Sequence, residues 1–262
     1  MKKIYWEGNS AKSIVINNIL SQTRTKRQES FLVFDYGCGD GGDWHNVLAD
    51  NPNIKLICFD PNKKSIMIAK KKLSKYDVIF LDQAELITNK FKSNFIISFS
   101  VLEHVYNKKK YLSIAKEHLH DDGIFFLNYD DGHFRNFLDL TKPSKWFKPI
   151  KEWIHNLLAY PLAMVGIESK FQGRIDYDYL NNLIKEHGFK IIDSFYSNLH
   201  CFKGLFNNIP EETKEEFIQF WIEVEYKLNN NFLYINKDKK YWGDYSNLWQ
   251  FMFSRTLILK LK

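Results

Sequence analysis

The sequence predicts an α/β fold in which a seven-stranded, mostly parallel sheet carries helices on both faces. Short apolar runs rich in β-branched and aromatic residues alternate with segments that place apolar residues at helical spacing. This alternation indicates parallel strands joined by right-handed crossovers. The chain has 262 residues, 45% of them hydrophobic and 26% charged, which suits a sizeable buried core.

Seven segments have the composition of strands. The first five alternate little between polar and apolar residues, as expected for strands buried on both faces. Gly188 ends a helix as a C′ residue and precedes a sixth strand, and a turn is expected at 121–123. In the last segment, leucines alternate with polar or differently facing residues, as expected for an antiparallel strand at a sheet edge. The segments are 31–36, 54–60, 77–82, 94–100, 123–129, the residues after Gly188, and 255–261.

Two insertions interrupt the alternation. An aromatic-rich segment at 141–172 follows the fifth strand, and a second insertion at 198–250, with a helix predicted at 211–229, follows the sixth. The sequence shows no repeat, low-complexity tract or flexible linker. We therefore expect a single domain over 1–262 with its core at about 30–130 and 174–262.

Charge and cysteine content limit the classes of partner. The net charge of +6 comes mainly from lysine, and the scarcity of arginine argues against a nucleic-acid partner. Cys38, Cys58 and Cys201 lack the spacing of a zinc site, so reduced thiols are expected. The N-terminus lacks a secretory apolar region and no run reaches transmembrane length, which predicts a cytoplasmic protein.

The stretch VFDYGCGDGGDW, from Val33 to Trp44, predicts a ligand-binding turn between the first strand and the next helix. It fits the G-x-G-x-x-G pattern of dinucleotide sites and also D-x-G-x-G-x-G, with Asp35 at the strand end. A carboxylate there would repel a pyrophosphate and attract a cationic ligand. S-adenosylmethionine (SAM), with its sulfonium and ammonium, therefore fits better than a dinucleotide.

Two further carboxylates end the next two strands. Asp60, in FDPN, could accept hydrogen bonds from both ribose hydroxyls, and Asp82, in FLDQAE, from an adenine amino group. The alternative for a lone aspartate at a strand end is a helix cap or turn residue. Three carboxylates at successive strand ends line the crevice where open parallel sheets bind ligands.

Five motifs in this order resemble the class I SAM-dependent methyltransferases: DYGCGDG, FDPN, FLDQAE, FSVLEHV and DDGIFFLN. HGFKIIDSF with a final strand resembles the family's closing antiparallel pair. The resemblance implies a Rossmann-like fold, SAM as cofactor and S-adenosylhomocysteine as product. It also implies a cofactor site. Because methyl transfer does not need thiol chemistry, Cys38 in the loop is expected to be a small packing residue. The site residues are Asp35, Gly37, Cys38, Gly39, Gly41, Asp60, Pro61, Asp82, Gln83 and Ser100.

Two histidines are candidate catalytic residues. His104, in SVLEHV, corresponds to an EH pair that the family often carries near the transferred methyl, and it could act as a base or pack in the next helix. His133 follows the fifth strand. Asp130 and Asp131 could bind a divalent metal, but adjacent acids more commonly form a turn, so no metal is predicted.

The insertions suggest where an acceptor binds. In the family, insertions after the fifth strand commonly build the acceptor pocket, so we interpret 141–172 as a substrate lid. Alternatives are a helix packed on the core, or peripheral membrane contact by Trp146, Phe147 and Trp153 between lysines. An apolar stripe supports a helix there, and it comprises Ile150, Trp153, Ile154, Leu157 and Leu158. A helix at 11–20, preceded by Tyr5 and Trp6, could close over the cofactor.

The predicted function is methyl transfer to a small-molecule acceptor, at oxygen because of the two histidines. The resemblance suggests surface-glycan or secondary metabolism. An RNA methyltransferase and a non-catalytic SAM-binding protein remain alternatives. The sequence does not indicate an oligomeric state.

Overall fold

The computed structural model describes residues 4–6, 8–25, 30–130, 159–165, 171, 175, 177–236 and 252–262. Its centre is one seven-stranded sheet. The strands are β1 (Phe31–Tyr36), β2 (Ile54–Phe59), β3 (Val78–Leu81), β4 (Ser93–Phe99), β5 (Leu119–Asp130), β6 (Phe189–Leu199) and β7 (Met252–Leu261). Their order is β3-β2-β1-β4-β5-β7-β6. Strands β1 to β5 pair in parallel, and β7 is antiparallel to both of its neighbours. The predicted fold class is confirmed.

Helices connect the strands and cover the sheet. They are α1 (Ser10–Thr25), α2 (Trp44–Asp50), α3 (Lys63–Lys72), α4 (Gln83–Thr88), α5 (Lys108–His118), α6 (159–164), α7 (Tyr177–Glu186), α8 (His200–Phe206) and α9 (Lys214–Asn236). Short 3-10 turns lie at Leu102–His104 and Glu211–Thr213. α3 begins where the Asn62 side chain accepts hydrogen bonds from the Lys64 and Ser65 amides, as expected for an N-cap.

Two apolar cores lie on opposite faces of the sheet. Because successive strand residues point to opposite faces, Val33 packs with α1 and α2, whereas Phe34 packs with α5 and α7. Trp44, fully buried, joins α2 to the first core. Burial on both faces explains why β1 reads as a continuous apolar run.

The structure corrects two expectations. β7 was predicted at a sheet edge, but it lies between β5 and β6, and β6 is the edge strand. Thr256, a polar residue of the alternating pattern, is buried, and so is Ser254 just before the predicted strand. The Asn128 side chain donates to both hydroxyl groups across the β5–β7 ladder. The turn expected at 121–123 is instead extended chain within β5, beside an irregular register with β4.

The insertion after β6 contains α8 and α9. The helix predicted at 211–229 begins as the 3-10 turn Glu211–Thr213 and continues as α9, which extends to Asn236. Of the insertion after β5, only 159–165 and 171 belong to the described residues, so the stripe from Ile150 to Leu158 and His133 lie outside them. In the part of the chain that the structure describes, no helix is long and apolar enough to cross a membrane.

Candidate active site

The glycine loop connects β1 to α2 in a conformation that depends on its glycines. Gly37 has a φ of 106°, and a Cβ there would lie 2.1 Å from a methyl carbon of Val101. Gly42 has a φ of 44°, and its Cβ would lie 2.2 Å from the Trp6 ring. Side chains at these two positions would therefore collide with the turn after β4 and with the N-terminal segment.

Gly39 differs from these two glycines. Its φ of 57° is left-handed, yet no heavy atom lies within 4 Å of the position of a Cβ among the described residues. Its amide donates to Asp60 Oδ2 over 2.9 Å, which ties the loop to the end of β2. Bare backbone beside open space is the arrangement that lets a ligand approach a strand-to-helix turn closely.

Asp35 is buried at the end of β1, with 1% of its surface exposed. The indole N–H of Trp44 donates to its Oδ2 over 2.7 Å. Burial raises the pKa of Asp35, while the positive charge of Lys12 and the Trp44 hydrogen bond oppose that rise. The carboxyl group thus also anchors α2 to the strand, a contact that the sequence analysis did not anticipate.

Asp60 and Asp82 lie at the ends of the neighbouring strands β2 and β3. Asp60 Oδ1 accepts from the Asn62 amide over 2.8 Å, and its other oxygen holds Gly39. Asp82 caps α4 and forms a capping box with Glu85. It therefore has the helix-capping role that the sequence analysis gave as the alternative to ligand binding. Pro61 and Gln83, which follow them in the chain, are exposed.

The turn after β4 contacts the glycine loop. Ser100 has a φ of 54°, a left-handed conformation that non-glycine residues rarely adopt, and its amide donates to Asn128 O over 3.2 Å. Val101, the next residue, packs against Gly37. Strained backbone of this kind is concentrated at functional sites, and here it lies where the ends of β1, β4 and β5 meet.

Glu103 is a candidate that the sequence analysis missed. Its side chain is buried, and Oε2 has no hydrogen-bond partner in the described part of the chain. Burial raises the pKa of Glu103 to about 7, and the charge of Asp130 adds to the rise. The signal was present in SVLEHV, where an acid stands among apolar residues just after a strand.

His104 is exposed, and its Nδ1 lies 3.1 Å from the Phe171 carbonyl oxygen. Because a carbonyl oxygen only accepts, Nδ1 carries the hydrogen, and Nε2 of a neutral ring is then the acceptor. Phe171 is buried and packs edge-on against Tyr106 and Tyr160, with ring centroids 5.4 and 5.2 Å apart. The insertion thereby contacts the turn after β4.

The predicted site residues therefore form two groups at one edge of the sheet. The predicted cofactor residues other than Ser100 lie at the ends of β1, β2 and β3. Ser100, also a predicted cofactor residue, lies with His104 just after β4. Cys38 is buried in the loop and its amide donates to Phe59 O, in keeping with a packing role. Within the described residues, no cluster of three or more histidine, cysteine or acidic side chains could hold a metal.

Comparison with known proteins agrees with this geometry. A family model described as a methyltransferase domain matches residues 16–194. Among curated proteins no match was found. The cyclopropane synthase MmaA2 from Mycobacterium tuberculosis superimposes with a TM-score of 0.56 at 16% identity, covering 94% of this chain and 84% of that one.

Two longer structures share the fold. PKMT2 from Rickettsia typhi, in complex with AdoHcy, has a TM-score of 0.52 at 15% identity, over 89% of this chain and 49% of its own. Phosphoethanolamine N-methyltransferase 2 from Haemonchus contortus, in complex with SAM, has a TM-score of 0.52 at 14% identity, over 94% of this chain and 52% of its own. The family model spans more than half of the sequence, and the chain belongs to the methyltransferase-domain family, within the class I SAM-dependent methyltransferases.

Proposed function

We propose that this enzyme transfers the methyl group of SAM to an oxygen atom of a small molecule bound over the ends of β4 and β5. The observation that carries the proposal is the hydrogen bond between His104 Nδ1 and Phe171 O. It leaves Nε2 as the basic atom of an exposed ring, beside the turn that contacts the glycine loop.

The described residues fit the cofactor. Gly39 provides bare backbone beside open space, and Asp60 and Asp82 end the two strands next to it. In this arrangement Asp60 would bind the ribose hydroxyls, and Asp82 with Gln83 the adenine. Bound SAM supplies a methyl group on a sulfonium, whose leaving group is a neutral thioether. The protein then chiefly has to align the acceptor and exclude water.

An alcohol acceptor has to lose a proton as the new bond forms, whereas an amine can attack with less help. His104 Nε2 would accept that proton. Glu103 is buried just after β4, and its pKa is about 7. It is therefore a second proton acceptor at neutral pH. Two basic groups at the same turn favour an oxygen acceptor over a nitrogen acceptor.

The insertion after β5 contributes to the proposed acceptor site. Its described residues Tyr160 and Phe171 pack against Tyr106, directly after the turn that carries His104. Aromatic walls with a few polar groups are typical of small-molecule pockets. This supports the interpretation of 141–172 as a lid. A role in surface-glycan or secondary metabolism and a cytoplasmic location stay predictions from the sequence.

The test is an assay of S-adenosylhomocysteine release from SAM with panels of hydroxylated compounds, amines and RNA. We expect hydroxylated compounds to support turnover. With such an acceptor, His104→Ala should lower kcat by about 10²- to 10⁴-fold, the usual contribution of a general base, and leave S-adenosylhomocysteine affinity unchanged.

The matched control is His120→Ala, which removes an exposed histidine paired with Asp122 near the start of β5. It should retain full turnover. Turnover confined to amines and unaffected by His104→Ala would contradict the oxygen proposal. Turnover confined to RNA, with a steep salt dependence, would replace the small-molecule acceptor.

A further inference from the structure

Helix α1 and the residues before it lie against the glycine loop. The Trp6 ring packs on Gly42 and edge-on against Trp44, with ring centroids 5.8 Å apart. Ser13 donates to the Trp6 carbonyl over 2.9 Å and so holds this segment to the helix. The first turn of α1 is therefore fixed beside the loop.

Lys12 lies in that first turn and is half-buried. Its ammonium is 4.3 Å from the centroid of the Trp6 ring and 5.4 Å from that of Phe99, the last residue of β4. Aromatic faces attract a cation but do not neutralise it. The position places a positive charge between the glycine loop and the end of β4.

Electrostatics agree with this position. Burial raises the pKa of Asp35, and the charge of Lys12 is the strongest opposing influence. Lys12 also acts on Asp40 in the loop, although the Lys72 hydrogen bond is the main reason that the pKa of Asp40 is lowered. The ammonium is therefore close enough to both Asp35 and Asp40 to lower their pKa values.

We propose that Lys12 binds the carboxylate of the methionyl part of SAM. This inference rests on the cofactor site described above. A zwitterionic amino-acid group needs a negative partner for its ammonium and a positive partner for its carboxylate. Asp35 and the loop carbonyls offer the first, and Lys12 offers the second from the helix that covers the loop.

The experiment compares SAM with decarboxylated SAM, which differs only by lacking the carboxylate, in calorimetric titrations. Lys12→Met should weaken SAM binding by about 10- to 100-fold, the range for one charge-assisted hydrogen bond, and leave the affinity for decarboxylated SAM unchanged. Lys12→Arg should retain most of the affinity for SAM.

Lys190→Met, which removes an exposed lysine near the start of β6, is the control and should bind both compounds like wild type. Thermal melting without ligand checks that Lys12→Met is folded. Equal weakening of both compounds, or of neither, would overturn the role of Lys12. Failure of the wild-type protein to bind SAM would instead overturn the cofactor site itself, so the two failures are distinguishable.

Discussion

The two sides of the proposed site are built differently: the glycine-loop side, where we propose that the cofactor binds, and the acceptor side at the end of β4. At the ends of β1 and β2, backbone amides of the glycine loop donate to the next strand and the residue after it, as the Gly39 amide does to the Asp60 carboxylate 21 residues away. At the end of β4 they join side chains to distant segments, and His104 is 67 residues from Phe171. In the function we propose, the closely packed loop holds the cofactor, and the side chains at the end of β4 determine the acceptor.

The largest expected effect is on the free energy of unfolding, and it differs between two glycines of the same loop. Gly37→Ala combines a positive φ with a Cβ 2.1 Å from Val101, and should cost about 3 kcal/mol of unfolding free energy. Gly39→Ala should cost only about 1 kcal/mol, because its φ is left-handed but its Cβ meets open space. Urea unfolding measures both.

Relative to its effect on stability, Gly39→Ala should have the greater effect on cofactor binding. Gly39→Ala places a methyl group where the cofactor is expected and should weaken S-adenosylhomocysteine binding more than its small effect on stability suggests. The double variant Gly37→Ala/Val101→Ala should recover part of the lost stability, since it removes the colliding methyl groups. If Gly37→Ala were as stable as wild type, the packing role of this loop would be wrong.

The second effect concerns pH and tests the acceptor side. Glu103 has a folded pKa of about 7, above the ordinary value of 4.5, so the folded state binds the proton more tightly than the unfolded state. Its contribution to stability is complete below pH 4.5 and is lost as pH rises through 7. Glu103→Gln should therefore gain about 3 kcal/mol relative to wild type near pH 8 and little near pH 4.

Glu225 provides the matched control. It is buried on α9, accepts from the Leu199 amide over 2.7 Å and from Trp221, and burial also raises its pKa to about 7. Glu225→Gln should change the pH dependence of stability with the same sign. Only Glu103→Gln should change the pH dependence of turnover, and a similar turnover change in both variants would remove Glu103 from the chemistry.

A smaller effect is expected from Asp60 on the cofactor side. Asp60→Asn keeps the shape of the side chain but removes the charge that would accept from the ribose hydroxyls. Affinity for S-adenosylhomocysteine should fall by about 10-fold or more. Asp77→Asn, just before β3, is the control. Unaltered affinity in Asp60→Asn would contradict the ribose assignment.

The smallest effect is expected at the rim of the loop. Lys72 forms a 2.6 Å ion pair with Asp40, and both side chains are well exposed to solvent. Such pairs contribute about 0.5 kcal/mol, so Lys72→Ala should change unfolding free energy and cofactor affinity little. A loss above about 2 kcal/mol in urea unfolding would show that the loop depends on surface charge as well as on its glycines.

The fold of the glycine loop was more predictable from the sequence than the contacts of the turn after β4. Asp35, Gly37 and Gly39 are neighbours in the chain, and strand-to-helix turns carry local signals that periodicity and glycine spacing express. The contact between His104 and Phe171 depends on how an insertion folds back, which no local pattern specifies. The raised pKa of Glu103 likewise results from tertiary burial.

The edge assignment of β7 failed for the same kind of reason. Thr256 belongs to the alternating pattern that suggested an edge strand, but inside the sheet its hydroxyl group accepts a hydrogen bond from Asn128 of the neighbouring strand. A pattern of polar residues records which groups need hydrogen bonds. It does not record whether water or another strand provides them.

The most direct test of the cofactor site is calorimetric titration of the purified protein with S-adenosylhomocysteine and, separately, with NADH. We predict saturable binding of S-adenosylhomocysteine and none of NADH, because Asp35 at the loop would repel a pyrophosphate. Preferential binding of NADH would contradict the account and would assign the glycine loop to a dinucleotide.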